Sequence, residues 1–301
     1  GSALVAKVLG ENNRKMANQL FSLFIYVVLA CGCIFAIAGF FIIPSLAVGM
    51  GAEGELLNAA VLYGRIIVIS LPGMILQIAF QSFFSVAENP RLGFVMSVIA
   101  GIVNIALDAL FVIALRWGIA GAAVATVIAQ TVGGFYPFIY FARDNDSLLR
   151  LGKACRNTRA LVKAGGNGIS EFINQASMSI VGLAINTQLL RYGGENAVAA
   201  YGIIMYMDTI FFAAFIGFCT GSNPLVSYNY GAQDHKELHN LFKRCLVIMI
   251  VTGIIMMISA ELLAYPLSYS FASYDPELLS LTTHAYRRSE EHTSELQSLA
   301  Y

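Results

Sequence analysis

Long apolar stretches separated by short polar segments dominate the chain. A membrane-spanning helix needs about 20 mostly apolar residues, and seven stretches reach that length with at most one charged residue each. These stretches are 20–50, 66–87, 92–115, 117–142, 164–190, 197–233 and 245–274. Pro72 and Pro137 lie inside two of them and favour kinks. Helices satisfy their own backbone hydrogen bonds in lipid, so the pattern predicts an all-α polytopic membrane protein.

The composition favours a membrane protein over the common soluble classes. Hydrophobic residues make up 57% of the 301 residues and charged residues 12%, against roughly 25% charged in a soluble domain. The mean hydropathy is +0.70 and the formal net charge is zero, so the charge indicates no nucleic-acid partner. The cysteines and histidines lack zinc-like spacing, and we expect no cofactor.

Lysine and arginine residues collect on one side of the predicted bundle. When the connections are taken alternately, 13 fall on one side and 4, at positions 65, 116, 191 and 287, on the other. The positive-inside rule places the richer side in the cytoplasm. We therefore predict a multi-pass protein of the cell membrane whose 44–58 connection faces outward. The basic segment 142–163 is predicted to be cytoplasmic, either as a solvated loop or as a linker between two halves.

The later part of the chain repeats the earlier part at a nearly constant offset. Gly10 matches Gly231, Lys15 matches Lys236, and after one inserted residue position 65 matches position 287. Six predicted spans lie within one period, so the two copies run in the same direction through the membrane. Parallel repeats are typical of transporters whose halves rock around a central site. On this observation alone, a channel stays an alternative.

The repeat also suggests domain boundaries. Residues 1–141 are predicted to form an N-terminal lobe, 142–163 a linker between the lobes and 164–287 a C-terminal lobe, both lobes being incomplete. The tail 288–301 matches the translation of a common sequencing adapter from RSEEH to SELQS. We interpret it as an artefact fused to a truncated gene, and exclude it from the fold. Such a fragment is not expected to transport by itself.

Three acidic residues lie well inside predicted spans, where a charge costs at least about 2.5 kcal/mol. Asp108 shares a helix face with Asn104, and their oxygens suit Na⁺, while a desolvated carboxylate can alternatively take up a proton. Glu171 follows GGNG at 165–168, which predicts a broken helix start of the kind that lines transporter sites. A structural hydrogen bond is the alternative for either acid. The third acid is Asp208.

A cavity for a small lipophilic or cationic substrate is the second predicted site. Asp208 and its Met and Phe neighbours would suit a lipophilic cation, although such a stripe is also typical of packing surfaces. Gln77 and Gln81 form an i,i+4 pair that would either line a cavity or bond between helices. The candidate cavity residues are Gln77, Gln81, Gln175, Asn186, Met205, Asp208 and Phe212.

Five segments together resemble the multidrug and toxic compound extrusion (MATE) family. They read LGEN at 9–12, NIALD at 104–108, GIAGAAVAT at 118–126, YGGENAVAAYG at 192–202 and NPLVSYNYGA at 223–232. The resemblance extends from the first residue to about position 287. It implies a twelve-helix antiporter of two six-helix lobes, of which this chain would hold the end of helix 2, helices 3–9 and the start of helix 10.

The resemblance also implies an activity and site residues. Family members export drugs and organic cations in exchange for Na⁺ or H⁺, so we expect one of these coupling ions, a lipid bilayer and a monomer at full length. The family's cation site maps onto Asn104, Asp108 and Thr126, and its helix-7 acid maps onto Glu171. Asp208 receives no role from the resemblance.

Two other functions are weighed against an antiporter. A flippase for lipid-linked precursors, from the same superfamily, would need a basic cavity, and the predicted spans carry acids but essentially no bases. A membrane-embedded enzyme or a channel subunit is less favoured, because no catalytic constellation accompanies the repeat. We therefore expect a transporter and not an enzyme.

Overall fold

The computed structural model describes residues 1–49, 53–144, 147–155, 157–272 and 278–283. These residues are almost entirely helical, and no strand occurs among them. The helices are α1 (Ser2–Gly10), α2 (Arg14–Gly49), α3 (Gly54–Ile69), α4 (Leu71–Val86), α5 (Pro90–Asp108), a π-helical segment (Ala109–Ala114), α6 (Gly118–Ala142), α7 (Thr158–Gly231) and α8 (His235–Ala272). The predicted all-α class is confirmed. The tail 288–301 lies outside the described residues.

Several of these helices are long and apolar enough to cross a membrane. In the described part of the chain they are Arg14–Gly49, Pro90–Ala114, Gly118–Ala142 and His235–Phe271, and the bent pair Gly54–Ile69 and Leu71–Val86 makes a fifth if it counts as one span. The predicted stretch 164–190 lies within α7, and 197–233 extends two residues beyond its end at Gly231. α7 is not among these spans. The number of seven complete spans therefore stays a prediction.

The stretch 66–87 is not one straight span. α3 ends at Ile69 and α4 begins at Leu71, with a bend of 46° between them. Pro72 occupies the first turn of α4, where its missing N–H is tolerated. The same proline disfavours one continuous helix through α3 and α4. The expected kink at Pro72 is thus confirmed, and the helix break falls at Ser70, between α3 and α4. The connection that we predict to face outward is also shorter than 44–58, because α2 continues to Gly49 and α3 begins at Gly54.

The chain divides into two compact units. The first contains Gly1–Ala164 and Asn223–His235, and the second contains Gly165–Ser222 and Lys236–Tyr301. The two ends of α7 therefore belong to the first unit and its middle belongs to the second. This division does not test the predicted lobes 1–141 and 164–287, which stay predictions.

An aromatic cluster forms the core of the first unit. Phe21 of α2, Phe80 of α4 and Phe141 of α6 are fully buried. The Phe21 ring meets that of Phe141 edge-on at 5.2 Å, and the Phe80 and Phe141 rings stack at 5.6 Å. Aromatic pairs of this kind add to the energy of burial. This cluster fixes three helices of the unit against one another.

Part of the basic segment 142–163 is packed onto α2. Leu149 is fully buried, and the amide of Gly152 donates a hydrogen bond to the Ser22 hydroxyl at 2.9 Å. The Arg14 guanidinium donates to the backbone oxygen of Ser147 at 2.8 Å. The interpretation of a purely solvated loop is wrong for residues 147–152. Whether 142–163 acts as a linker between lobes stays a prediction.

The turn after α1 and the turn after α7 are copies of each other, related by the same offset as Gly10 and Gly231. Asn12 and Gln233 occupy equivalent positions, and both have a φ of 60°. The helices that follow, α2 from Arg14 and α8 from His235, begin at equivalent positions as well. The repeat seen in the sequence is therefore also a repeat of the backbone.

The two copies meet at a pair of glycines within the first unit. A Cβ on Gly10 would overlap the backbone oxygen of Tyr228, and one on Gly231 would overlap that of Lys7. These two contacts are equivalent, because Lys7 and Tyr228 are themselves matching positions of the repeat. The Lys7 ammonium adds a contact 5.3 Å from the Tyr230 ring centroid. At this crossing the backbones of α1 and α7 lie so close together that only glycine fits at the two contact positions.

Two features of the second unit concern the course of α7. The expected broken start at 165–168 is wrong, since the helix runs without interruption from Thr158 to the break at Gly194. Gly194 has φ 68° and ψ −166°, a conformation that is essentially restricted to glycine. Beyond the break, Ile204 packs with Ala260 of α8.

We predict that Gly10→Ala and Gly231→Ala each destabilise the protein by about 1–3 kcal/mol, because either Cβ forces the α1–α7 crossing apart. Thermal unfolding in detergent measures the change. Gly253→Ala is the matched control, because a Cβ there meets open space on α8 and improves helix propensity. Unchanged melting temperatures for both crossing variants would contradict this packing.

Candidate functional site

Asp108 lies at the last position of α5, where the α-helix passes into the π-helical segment Ala109–Ala114. Its Oδ1 atom is buried and accepts no hydrogen bond from the described residues. A buried carboxylate oxygen without a partner is costly, so most such groups in proteins are satisfied. The position offers a free oxygen ligand inside a span, which fits a bound cation or proton.

The π-helical segment displaces the backbone next to this acid. The amide of Leu115 donates to the backbone oxygen of Leu110 at 2.9 Å, five residues back. The rings of Phe111 and Trp117 stack at 5.0 Å and close the turn that follows. Because π-helical turns occur often at functional sites, this segment supports a functional position for Asp108. The apolar stretch 92–115 contains no sequence feature that predicts this π-helical segment.

Thr126 lies on α6, which packs against α5. Its hydroxyl donates to the backbone oxygen of Ala122 at 3.0 Å, so the hydroxyl oxygen keeps lone pairs for a ligand. Asn104 and Asp108 are partly buried on α5. One helical turn beyond Thr126, the Oε1 of Gln130 is buried and has no hydrogen-bond partner in the described part of the chain. Sequence reasoning missed Gln130, because a single glutamine in an apolar span resembles a packing residue.

Gln77 and Gln81 make different contacts. The Gln77 amide lies against Gly133 of α6, where a Cβ would stand 2.7 Å from Oε1. Gln81 donates from Nε2 to the Ser97 hydroxyl of α5 at 3.0 Å. Gln81 therefore bonds between helices, as one of the two interpretations expects. Its place in a substrate cavity stays a prediction.

The candidates of the C-terminal half lie on α7. Glu171 accepts a hydrogen bond from Gln175 Nε2 at 3.4 Å, and both side chains are exposed. Asn186 is exposed in the same continuous stretch. Beyond the break at Gly194, Asp208 is partly buried. Of the remaining two, Met205 is 45% exposed and Phe212 47% exposed.

Arg65 is a cation that the sequence pattern placed at the end of a span. It is the twelfth residue of α3, and its Cζ lies 4.9 Å from the ring centroid of Phe40 on α2. Its Nε is buried and donates no hydrogen bond to any described residue. Arg65 lies within a helix because α3 starts at Gly54 and not at position 66. The expectation that the spans carry essentially no bases stays a prediction.

The described residues contain no group of three or more His, Cys, Asp or Glu side chains able to hold a metal ion. The residues predicted to form a cation site supply one carboxylate, one amide and one hydroxyl on α5 and α6, and their grouping into one site stays a prediction. Oxygen sets of this composition suit a hard cation such as Na⁺.

The sequence profile of the MatE family matches residues 1–110 and 172–287. The chain belongs to the MatE family. This multidrug and toxic compound extrusion family is the one that the five sequence segments resemble, and the expected family is confirmed.

Curated relatives of this MatE chain are multidrug export proteins. It is 26% identical over 284 residues to multidrug export protein MepA of Staphylococcus haemolyticus, covering 94% of this chain and 62% of that protein. It is also 26% identical to MepA of Staphylococcus saprophyticus, covering 86% of this chain and 57% of that protein. The chain thus spans about three-fifths of the length of these relatives. Proteins of this name are transporters and not enzymes.

Solved transporter structures share the fold. An outward-facing multidrug resistance MATE family transporter of the MOP superfamily superposes with a TM-score of 0.88 at 21% identity, covering 95% of this chain and 64% of that one. A MOP superfamily transporter of Pyrococcus furiosus, described as having a binding pocket of reverse polarity, gives a TM-score of 0.87 at 21% identity, covering 95% and 64%. These similarities support a multi-pass transmembrane fold.

We predict that Gln81→Leu lowers stability only slightly, by about 0.6 kcal/mol, because one interhelical hydrogen bond to Ser97 is lost. Ser97→Ala should have a similar effect, and the double variant should cost less than the two single changes together. A double-mutant cycle of thermal unfolding measures this coupling. Fully additive losses would show that the bond contributes nothing.

Proposed function

We propose that this chain forms part of a secondary antiporter that exports drugs or organic cations across the cell membrane in exchange for Na⁺ or H⁺. The buried Oδ1 of Asp108, which no described residue satisfies and which lies next to a π-helical segment, is the observation on which this proposal depends. Membership of the MatE family and the export function named for its relatives point in the same direction.

We assign the first coupling site to Asp108 with Asn104 and Thr126 as neighbouring oxygen donors. An ion at Asp108 would neutralise a carboxylate that otherwise stays uncompensated inside a helix bundle. Since a ligand shifts a conformational equilibrium only through different affinity for its states, the environment of Asp108 must change during transport. Gln130, one turn beyond Thr126, is a further oxygen donor on the same helix.

We assign a second coupling role to Glu171 on α7. Its hydrogen-bond partner, Gln175, is on the next turn of the same helix, so this hydrogen bond of Glu171 lies within α7. An exposed membrane carboxylate of this kind is available to a proton or a cationic substrate. The remaining cavity candidates, which include Asp208, are proposed only as substrate contacts.

The repeat supports alternating access. The copies meet at Gly10 and Gly231, on the side that the charge distribution assigns to the cytoplasm. Parallel repeats are typical of transporters whose halves rock around a central site. The basic segment 142–163 would lie on the same cytoplasmic side.

We predict that Asp108→Asn abolishes ion-coupled export, because the amide cannot bind a proton and holds Na⁺ poorly. Ethidium efflux from cells that express a full-length transporter containing these residues measures the loss. Glu55→Gln is the matched control, because Glu55 is exposed in the first turn of α3. Export that still follows an imposed Na⁺ or H⁺ gradient in the Asp108 variant would contradict its coupling role.

We predict that Glu171→Gln reduces ethidium efflux while leaving the melting temperature nearly unchanged. The side chain is exposed, and glutamine can keep the weak hydrogen bond to Gln175. Parallel efflux and thermal-unfolding measurements separate the two effects. A large loss of stability with normal efflux per folded molecule would assign Glu171 a structural role.

A further inference from the structure

Arg65 lies at a tight contact between two membrane helices of the first unit. On either side of it, α2 and α3 approach each other at glycines. A Cβ on Gly39 would stand 2.9 Å from Cγ1 of Val68, and one on Gly64 would stand 2.9 Å from Cγ2 of Ile43. This packing leaves the base of the Arg65 side chain little freedom, and the Phe40 ring lies against its guanidinium at 4.9 Å.

The charge of Arg65 has no counter-ion among the described residues. No carboxylate oxygen in that part of the chain lies within 4.0 Å of its nitrogens. Its buried Nε likewise finds no acceptor there. A cation in a membrane helix normally pairs with an acidic group or a carbonyl. The Nε itself is enclosed, so an acceptor from outside the chain would have to bind at the Nη groups of Arg65.

With α2 centred in the bilayer, helix lengths put the Arg65 backbone about 4 Å inside the hydrocarbon core, within side-chain reach of the headgroups. α2 has 36 residues and is about 54 Å long, against a hydrocarbon core of about 30 Å. With α2 centred in the bilayer, each end extends about 12 Å beyond that core. Arg65 follows the start of α3 by eleven residues, or about 16 Å. A long arginine side chain at this depth reaches the headgroup layer.

We propose that Arg65 binds a phosphate oxyanion, with its two Nη–H groups donating to two of the phosphate oxygens. A guanidinium presents these two donors in a planar fork that matches phosphate geometry. The Phe40 ring restricts the guanidinium by a cation–π contact and so prepares the fork. The phosphate belongs either to a membrane phospholipid or to free inorganic phosphate. The proposal is independent of the transport function.

The test compares wild-type protein with three variants in detergent. Arg65→Gln removes the charge, and Arg65→Lys keeps it but removes the planar fork. Arg191→Gln is the matched control, because Arg191 also lies over an aromatic ring, that of Tyr192 at 5.7 Å, but is exposed. The melting temperature is recorded during titration with phosphatidylglycerol, with diacylglycerol of the same acyl chains and with inorganic phosphate.

We expect phosphatidylglycerol to raise the melting temperature of the wild type and of Arg191→Gln, with no shift in Arg65→Gln. Arg65→Lys should need about tenfold more lipid for the same shift, because its ammonium is a point charge without the fork. A shift with inorganic phosphate that also requires Arg65 would identify free phosphate as the source.

Three results would overturn the phosphate site. They are equal shifts in the wild type and Arg65→Gln, a shift that diacylglycerol reproduces in full, and no shift with either phosphate compound. If Arg65→Gln does not fold, Arg65→Lys decides. A titration midpoint about tenfold higher than that of the wild type supports the site, and an unchanged midpoint contradicts it.

Discussion

Close contact between helix backbones is the constraint on which this structure depends. In lipid, an apolar side chain gains little free energy by moving from the lipid-facing surface into the protein. Membrane helices therefore associate through close packing, which small residues allow. The crossing of α4 and α6 illustrates this, since a Cβ on Gly73 would stand 2.9 Å from the backbone oxygen of Gln130, and one on Gly134 would overlap that of Gly73. The crossing of α1 and α7 uses the same device at Gly10 and Gly231.

The lipid environment also makes each buried polar group without a partner a candidate for a bound ligand. Most hydroxyls on these helices turn back to a backbone oxygen four residues earlier, as Thr126 and Ser22 do. Asp108 and Arg65 each keep a buried polar atom that no group within the described ranges satisfies. They lie on different helices and carry opposite charge, which suits a cation at Asp108 and an anion at Arg65. The proposed cation site and the proposed phosphate site therefore lie on different helices.

The coarse architecture could be predicted because it follows from patterns that extend over many residues. Apolar length identified the helical membrane class, and the repeat anticipated the equivalent turns at Asn12 and Gln233. Pro72 marked the bend between α3 and α4 through its missing N–H. The family followed from five segments taken together, each of which is weak alone.

Finer features depended on tertiary packing or on single residues. The glycine-rich stretch 165–168 remains helical, because helix propensity is a weak local preference, whereas the break falls at Gly194, where φ is positive. Arg65 was assigned to a span end because the span was drawn from its charge-free run alone. Gln130 was missed because a single glutamine in an apolar span resembles a packing residue. The roles of Asn104, Asp108 and Glu171 come from their positions in apolar stretches and from the family resemblance, that of Thr126 comes from the resemblance alone, and all four stay predictions.

Reconstituted transport under an imposed ion gradient tests the central claim most directly. A full-length transporter containing these residues would be placed in lipid vesicles with equal ethidium on both sides, and a Na⁺ or H⁺ gradient would then be applied and reversed. Coupled antiport predicts that ethidium accumulates against its own concentration difference and that its direction reverses with one of these gradients. Ethidium movement that only follows its own concentration difference, whatever the ion gradient, would contradict the account.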